Sequence, residues 1–325
     1  MLKLILVLKF YLFIHLAVGF LTVVERYSFA GIQSRRGPSV VGWFGIFQAV
    51  ADGVKLLFKG VYFPVFSFKW VFVFSPFFGY FISMFMWVFM PFPGGIFVDF
   101  YYSVMVFLCL SSLIVYSILG GGWGSNSSYA LVGSVRAVAQ MVSYEVCMSI
   151  YIYLVCLWVG SYGFYHILFF QSGGGIWLFS VFFWVFLIWV VICLAESNRL
   201  PFDLVEGESE LVSGYNVEYS GGFFCFYFIA EYGALIFLGV LTSLMFFGGG
   251  GSFFGVGVSS LIFSFKVMVV VLIFIWVRAS FPRYRYDQLM YVAWVDLMPF
   301  GFSVLIFMMV IYYFNHMNTS FVWRY

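Results

Sequence analysis

Residues 223–247 read FFCFYFIAEYGALIFLGVLTSLMFF, twenty-five residues with a single charge, Glu231. The segment lacks the strict apolar–polar alternation of a membrane barrel strand. It is apolar on every side, which is the mark of a helix with apolar surroundings all round. At about 1.5 Å of rise per residue, such a block crosses a bilayer core of about 30 Å. Similar blocks lie near residues 2–24, 66–92, 97–119, 141–160, 176–195, 253–277 and 299–316. The composition agrees: 64% of the 325 residues are hydrophobic and only 9% are charged. Soluble domains are about one quarter charged, so that class is excluded. The expected fold is an all-α integral membrane protein. It has about eight transmembrane helices, an amphipathic surface helix and structured charged loops on one side, in a single polytopic domain over 1–325.

The first block lacks an A-x-A-like cleavage site and runs directly into Glu25-Arg26, so it is read as a retained span. The five cysteines lie in apolar stretches with no C-x-x-C pair, and His15, His166 and His316 are far apart. No metal site and no catalytic residue is expected.

The connections alternate in character. Those after the first, third, fifth and seventh spans carry Arg26, Arg35, Arg36, Lys55, Lys59, Arg136, Arg199, Arg278, Arg283 and Arg285, ten of the fifteen basic residues. The opposite connections, such as PFPGG and GGGGS, are short and nearly uncharged. The positive-inside rule puts the charged face in the compartment of synthesis. Acids crowd the same face. The stretch AESNRLPFDLVEGESELVSGYNVEY, residues 195–219, holds Glu196, Asp203, Glu206, Glu208, Glu210 and Glu218, six of thirteen acids. Only Arg199 lies among them, so most of these acids lack a local partner. Asp203 and Glu206 have capping-box spacing, and a short helix beyond them would put Glu206 and Glu210 on one face. Crowded carboxylates repel and titrate as a group. A face with nearly equal numbers of both signs points to docking.

The first charged loop, residues 25–60, is rich in glycine and arginine in its first half. Its second half reads as a helix from about Trp43, with Gln48, Asp52, Lys55 and Lys59 on one narrow stripe. Such a stripe suits a helix embedded at the membrane boundary. Inside the spans stand Glu145, Glu231 and Lys266. An ionisable group at that depth is expensive and marks function by default. The acidic loop over 196–222, leading to Glu231 and Glu145, reads as a proton or charge relay.

Five runs also carry a family resemblance: GIQSRRGPSVVG and ADGVKLLFK in the first loop, SNSSYALVGSVRAVAQMVSYEV at 125–146, the acidic stretch itself, and WVRASFPRYRYDQLM at 276–290. With FIAEY, they make the chain resemble the subunit 1 family of the mitochondrial respiratory NADH:ubiquinone oxidoreductase, complex I. The resemblance covers nearly the whole chain. It implies a multi-pass subunit of the mitochondrial inner membrane with its charged loops on the matrix side. That subunit is inactive alone and binds no cofactor itself. Ubiquinone is the substrate, and NADH, flavin and iron–sulfur clusters belong to partner subunits. The implied partners are the quinone-site subunits of the peripheral arm, the small membrane subunits and lipids, with no nucleic acid. By matching position, Gln33, Arg35, Arg36, Asp52 and Arg136 belong near the quinone path. Glu145, Glu196, Asp203, Glu206, Glu208, Glu210, Glu218 and Glu231 belong to the relay. Arg199, Arg278, Arg283, Arg285 and Asp287 brace the chamber and the docking face. The chain departs from the family pattern at Tyr27, Gly60 and Val295, where lysine, glutamate and lysine are common.

Three other readings compete. A membrane subunit of a proton-pumping hydrogenase would keep the relay and bind no quinone. A secondary transporter would show paired repeats, and no convincing repeat is found. A structural anchor would not need Glu145 and Glu231 in the membrane.

Overall fold

In the computed structural model, residues 2–92, 100–174, 177–203, 214–250 and 256–322 are described. Among them there is no strand, and seven helices are long and apolar enough to cross a membrane. These are α1 (Leu2–Ile32), α3 (Lys69–Phe85), α4 (Ser103–Ser125), α5 (Ser128–Val159), α9 (Gly222–Phe247), α10 (Val256–Ser280) and α12 (Met298–Val322). The shorter helices are α2 (Gln48–Phe58), α6 (Phe164–Gly174), α7 (Leu178–Val181), α8 (Phe183–Glu196) and α11 (Tyr286–Tyr291). The fifth expected span is thus broken. Phe182 leaves helical geometry at φ −116°, ψ 47°, separating α7 from the 14-residue α8. Two other boundaries move. Helix α1 runs past Glu25 to Ile32, and α5 begins at Ser128 rather than near 141. Arg136 therefore stands inside a helix, not in a connection.

Helices α9 and α5 are the two hubs. Helix α9 packs on α3, α10 and α1, while α5 packs on α4, α8 and α12. Small residues bring α3 and α4 together, as is common where helices meet in lipid. A Cβ on Gly79 would lie 2.8 Å from Ser117 Oγ, and one on Gly124 would lie 2.9 Å from the backbone nitrogen of Phe72. Helix α5 holds the last span differently. Between α11 and α12, residues Val292–Leu297 form a π-helical turn. Tyr144 and Tyr151 donate to the carbonyls of Leu289 and Leu297, each at 3.1 Å, and Cys147 Sγ reaches the carbonyl of Ala293 at 3.5 Å. A π turn disturbs the regular ladder, and α5 supplies donors to its carbonyls.

Cross-links gather the charged connections at one end. Tyr62 N–H donates to Ser220 Oγ at 3.2 Å, Asn126 Nδ2 to the Phe66 carbonyl at 3.1 Å, and Tyr284 N–H to the Pro201 carbonyl at 3.0 Å. At the opposite end, Val104 N–H donates to the Tyr162 carbonyl at 3.1 Å. There Lys266 Nζ donates to the carbonyls of Phe247 and Gly249 at 2.7 and 2.8 Å, with its charge 4.6 Å from the Trp177 ring. Lys266 thus satisfies carbonyls at the end of α9, which that helix cannot satisfy itself.

The close approach of α3 and α4 makes Gly124 intolerant. Gly124→Ala pushes a methyl against backbone that cannot rotate away. Thermal unfolding of the purified protein should show a loss of about 1–3 kcal/mol. An unchanged melting temperature would mean the two helices separate freely.

Candidate functional site

Four elements bring charge to one buried point. Glu25 comes from α1, Arg199 from the connection after α8, Glu231 from α9 and Arg278 from the last turn of α10. Arg199 Nη2 lies 3.1 Å from Glu231 Oε1, and its Nη1 lies 3.9 Å from Glu25 Oε1. Arg278 pairs directly with Glu25. Tyr232 Oη donates to Glu25 Oε2 at 2.6 Å, and its ring lies 4.1 Å beneath the Arg199 guanidinium. Arg199 and Glu25 are both buried. A buried charge needs a partner of opposite sign, and here two arginines face two glutamates. Burial alone would lower the pKa of Arg199. Glu231, Tyr232 and Glu25 outweigh it and raise the pKa above the usual arginine value, so the cation is permanent.

Beside this cluster lies a cavity of about 80 Å³. It opens between α3, α4, α5, α8 and α9, and Glu196, Glu231, Ser111, Tyr215 and Tyr227 line it. At about 10–15 Å³ for each water centre, it has room for several waters. Ser111 Oγ donates to Glu145 Oε1 at 3.4 Å, so Glu145 joins the cavity through one hydroxyl. Glu196 Oε2 is buried without a protein hydrogen bond, and the cavity is its route to a partner. Gln140, fully buried, holds the start of the acidic loop. Its Nε2 donates to the carbonyls of Ala195 at 2.9 Å and Phe202 at 2.8 Å.

The expected relay residues separate into three sets. Glu145, Glu196 and Glu231 meet around the cavity. Asp203 is buried with Arg283 Nη2 at 3.8 Å, and Glu218 is half-buried just before α9. Glu206, Glu208 and Glu210 lie outside the described residues, as does the expected capping helix after Asp203. Of the bracing residues, Arg199, Arg278 and Arg283 each hold a carboxylate. Arg285 and Asp287 instead pair with each other at 3.3 Å in a largely exposed position. Such a pair contributes little.

The residues expected near the quinone path lie on and around the first loop, except Arg136. Gln33, Arg35 and Arg36 are exposed, and Arg35 Nε donates to Gln33 Oε1 at 2.7 Å. Asp52 takes Arg26 at 2.7 Å and the Gln48 amide at 2.8 Å. The expected helix from Trp43 is corrected. A short 3-10 turn occupies Trp43–Gly45, with Phe44 left-handed at φ 52°, and the α-helix begins at Gln48. Lys59 is extended, so the polar stripe ends at Lys55. Arg136 is half-buried on α5.

Sequence reasoning missed Glu25, Tyr232, Ser111 and Gln140 as members of the site. Glu25 had a signal, being the first charge after an uncharged run. The others are polar residues of ordinary spacing, which only the packing distinguishes.

The NADH dehydrogenase family model matches residues 4–309. The chain is 48% identical over 299 residues to NADH-ubiquinone oxidoreductase chain 1 of Patiria pectinifera, covering 91% of this chain and 90% of the relative. It is 44% identical to the protein of that name from Heterololigo bleekeri, covering 92% and 93%. To that of Aedes aegypti it is 42% identical, covering 89% and 90%.

The opposed charges generate a test by compensation. Arg278→Gln leaves Glu25 less well paired, at a cost of about 3–5 kcal/mol by analogy with other broken buried pairs. Adding Glu25→Gln removes the surplus charge. Membrane yields of folded protein should recover in the double variant. A double variant worse than both singles would mean the groups do not offset one another.

Proposed function

The chain belongs to the NADH dehydrogenase family, and from that premise we propose that it is a core membrane subunit of a proton-translocating NADH:ubiquinone oxidoreductase. In this reading it forms part of the ubiquinone chamber and passes charge from quinone reduction to proton translocation. It is inactive alone, and NADH, flavin and iron–sulfur clusters work in partner subunits. It lies in the mitochondrial inner membrane with its charged loops on the matrix side, where the peripheral arm docks. The relatives' names favour this over a hydrogenase subunit, a transporter or a plain anchor.

The observation that carries the relay is the cavity joining Glu196, Glu231 and, through Ser111, Glu145. Carboxyls at the edge of a hydrated pocket exchange protons through water over one or two hydrogen bonds. The balanced cluster of Glu25, Arg199, Glu231 and Arg278 adjoins it. Glu231 belongs to both, so a change of charge at the cluster alters proton affinity in the cavity. Asp203 and Glu218 extend the path toward the charged face, and the acids at 206, 208 and 210 are assigned to it by the resemblance alone. Gln33, Arg35, Arg36 and Asp52 flank the quinone path, and Arg136 on α5 belongs to it by the resemblance. In this reading the cationic stretch Arg35-Arg36-Gly37-Pro38 steers the polar headgroup while the tail stays in lipid.

Glu145→Gln keeps size and removes titration. In the assembled complex it should cut coupled quinone reduction and proton pumping about tenfold or more, in line with the loss of a proton-transfer group. NADH oxidation by an artificial acceptor should persist. A fully assembled variant that pumps normally sinks the relay.

A further inference from the structure

We propose that Tyr27 is a positioning residue, a clamp that fixes the backbone of the loop carrying Arg35 and Arg36. Tyr27 stands on α1, and its hydroxyl donates to the Pro38 carbonyl at 2.7 Å and to the Phe44 carbonyl. One proton between two acceptors is a three-centre bond, and it ties both sides of the loop to one helix.

The loop has little else to hold its centre. It is fixed at its start, where Arg35 N–H donates to the Ala30 carbonyl at 2.8 Å, and at its end by the first turn of α2. Between these, the bonds Gly45 N–H to Gly42 O and Ile46 N–H to Trp43 O are long, at 3.4 and 3.3 Å. Packing does not supply the difference, because Val40, Trp43 and Phe44 are 93%, 87% and 82% exposed. Yet the backbone bends sharply there. Gly42, Phe44 and Gly45 all have left-handed φ, of 74°, 52° and 68°, and of the three only Phe44 carries a side chain that strains it. A non-glycine residue in that region persists only where its surroundings over-determine it. The Tyr27 hydroxyl grips the carbonyl of that same Phe44.

The ring has a place as well as the hydroxyl. A Cβ on Gly37 would lie 2.6 Å from Tyr27 Cδ1, and one on Gly45 would lie 2.0 Å from the Pro38 carbonyl oxygen that Tyr27 binds. The loop is therefore moulded on Tyr27, and glycine is required where the ring passes.

The consequence for the substrate rests on the reading of Arg35 and Arg36 as part of the quinone path. The test uses the assembled complex. In Tyr27→Phe, amide hydrogen exchange across residues 36–46 should quicken about fivefold, the effect of one lost hydrogen bond on a local opening. The KM for quinone should rise, while kcat and the rate with an artificial acceptor stay unchanged. Gly37→Ala should raise KM likewise by displacing the ring, and should add nothing in a Tyr27→Ala background. Unchanged exchange in Tyr27→Phe, or full additivity of the alanine pair, overturns the clamp. Faster exchange with an unchanged quinone KM upholds the clamp and removes Arg35 and Arg36 from the quinone path.

Discussion

Taking a carboxylate out of water costs several kcal/mol unless a cation and hydrogen bonds replace the solvent. Glu25 meets that cost with Arg278, Arg199 and the Tyr232 hydroxyl. These groups come from α1, α9, α10 and the connection after α8, and they close only if those residues stand at one level. The cluster thus sets more than a local geometry. It fixes where α1 and α10 stand against α9, and it draws the acidic loop inward at Arg199. Gln140 draws the same loop from the other side through the carbonyls of Ala195 and Phe202.

On the far side of Glu231 the chemistry changes. Glu25 and Glu231 have arginines, whereas Glu196 and Glu145 have a cavity and a serine. One half of the site pairs its carboxylates with arginines, and the other leaves them to the cavity and a serine. Glu231 touches both. In the proposed relay, that asymmetry is what would give transmission a direction.

Much of this was legible in the sequence. Long uncharged runs leave few alternatives to spanning helices, and a loop that gathers six of the thirteen acids announces itself. Glu145 and Glu231 stood out because ionised groups at such depth need a reason, and Glu196 because it opens the acidic loop. What was not legible depends on pairing across the chain. Nothing in the run around Glu25 says that Arg278 will reach it from 253 residues away. Nothing in SLMFF or FSFKV says that Lys266 will close the end of α9. The break at Phe182 is hidden too, since α7 and α8 are both apolar and composition carries no signal of a lost turn. The left-handed Phe44 was missed because a run of aromatic and apolar residues reads as helix. The tyrosine that stabilises the turn is 17 residues earlier.

The π turn at Val292–Leu297 has a consequence for chain length. Such a turn accommodates one residue more than an α-helix would, and each residue of an α-helix advances the chain by about 100° around the axis. The side that α12 shows to its surroundings is therefore decided upstream, by a residue count and not by the residues of α12. Winding the same number of residues as a regular α-helix would swing every later side chain out of phase. The donors of Tyr144, Cys147 and Tyr151 would then face a ladder with its carbonyls displaced. The π turn thus holds α12 in phase across one surplus residue.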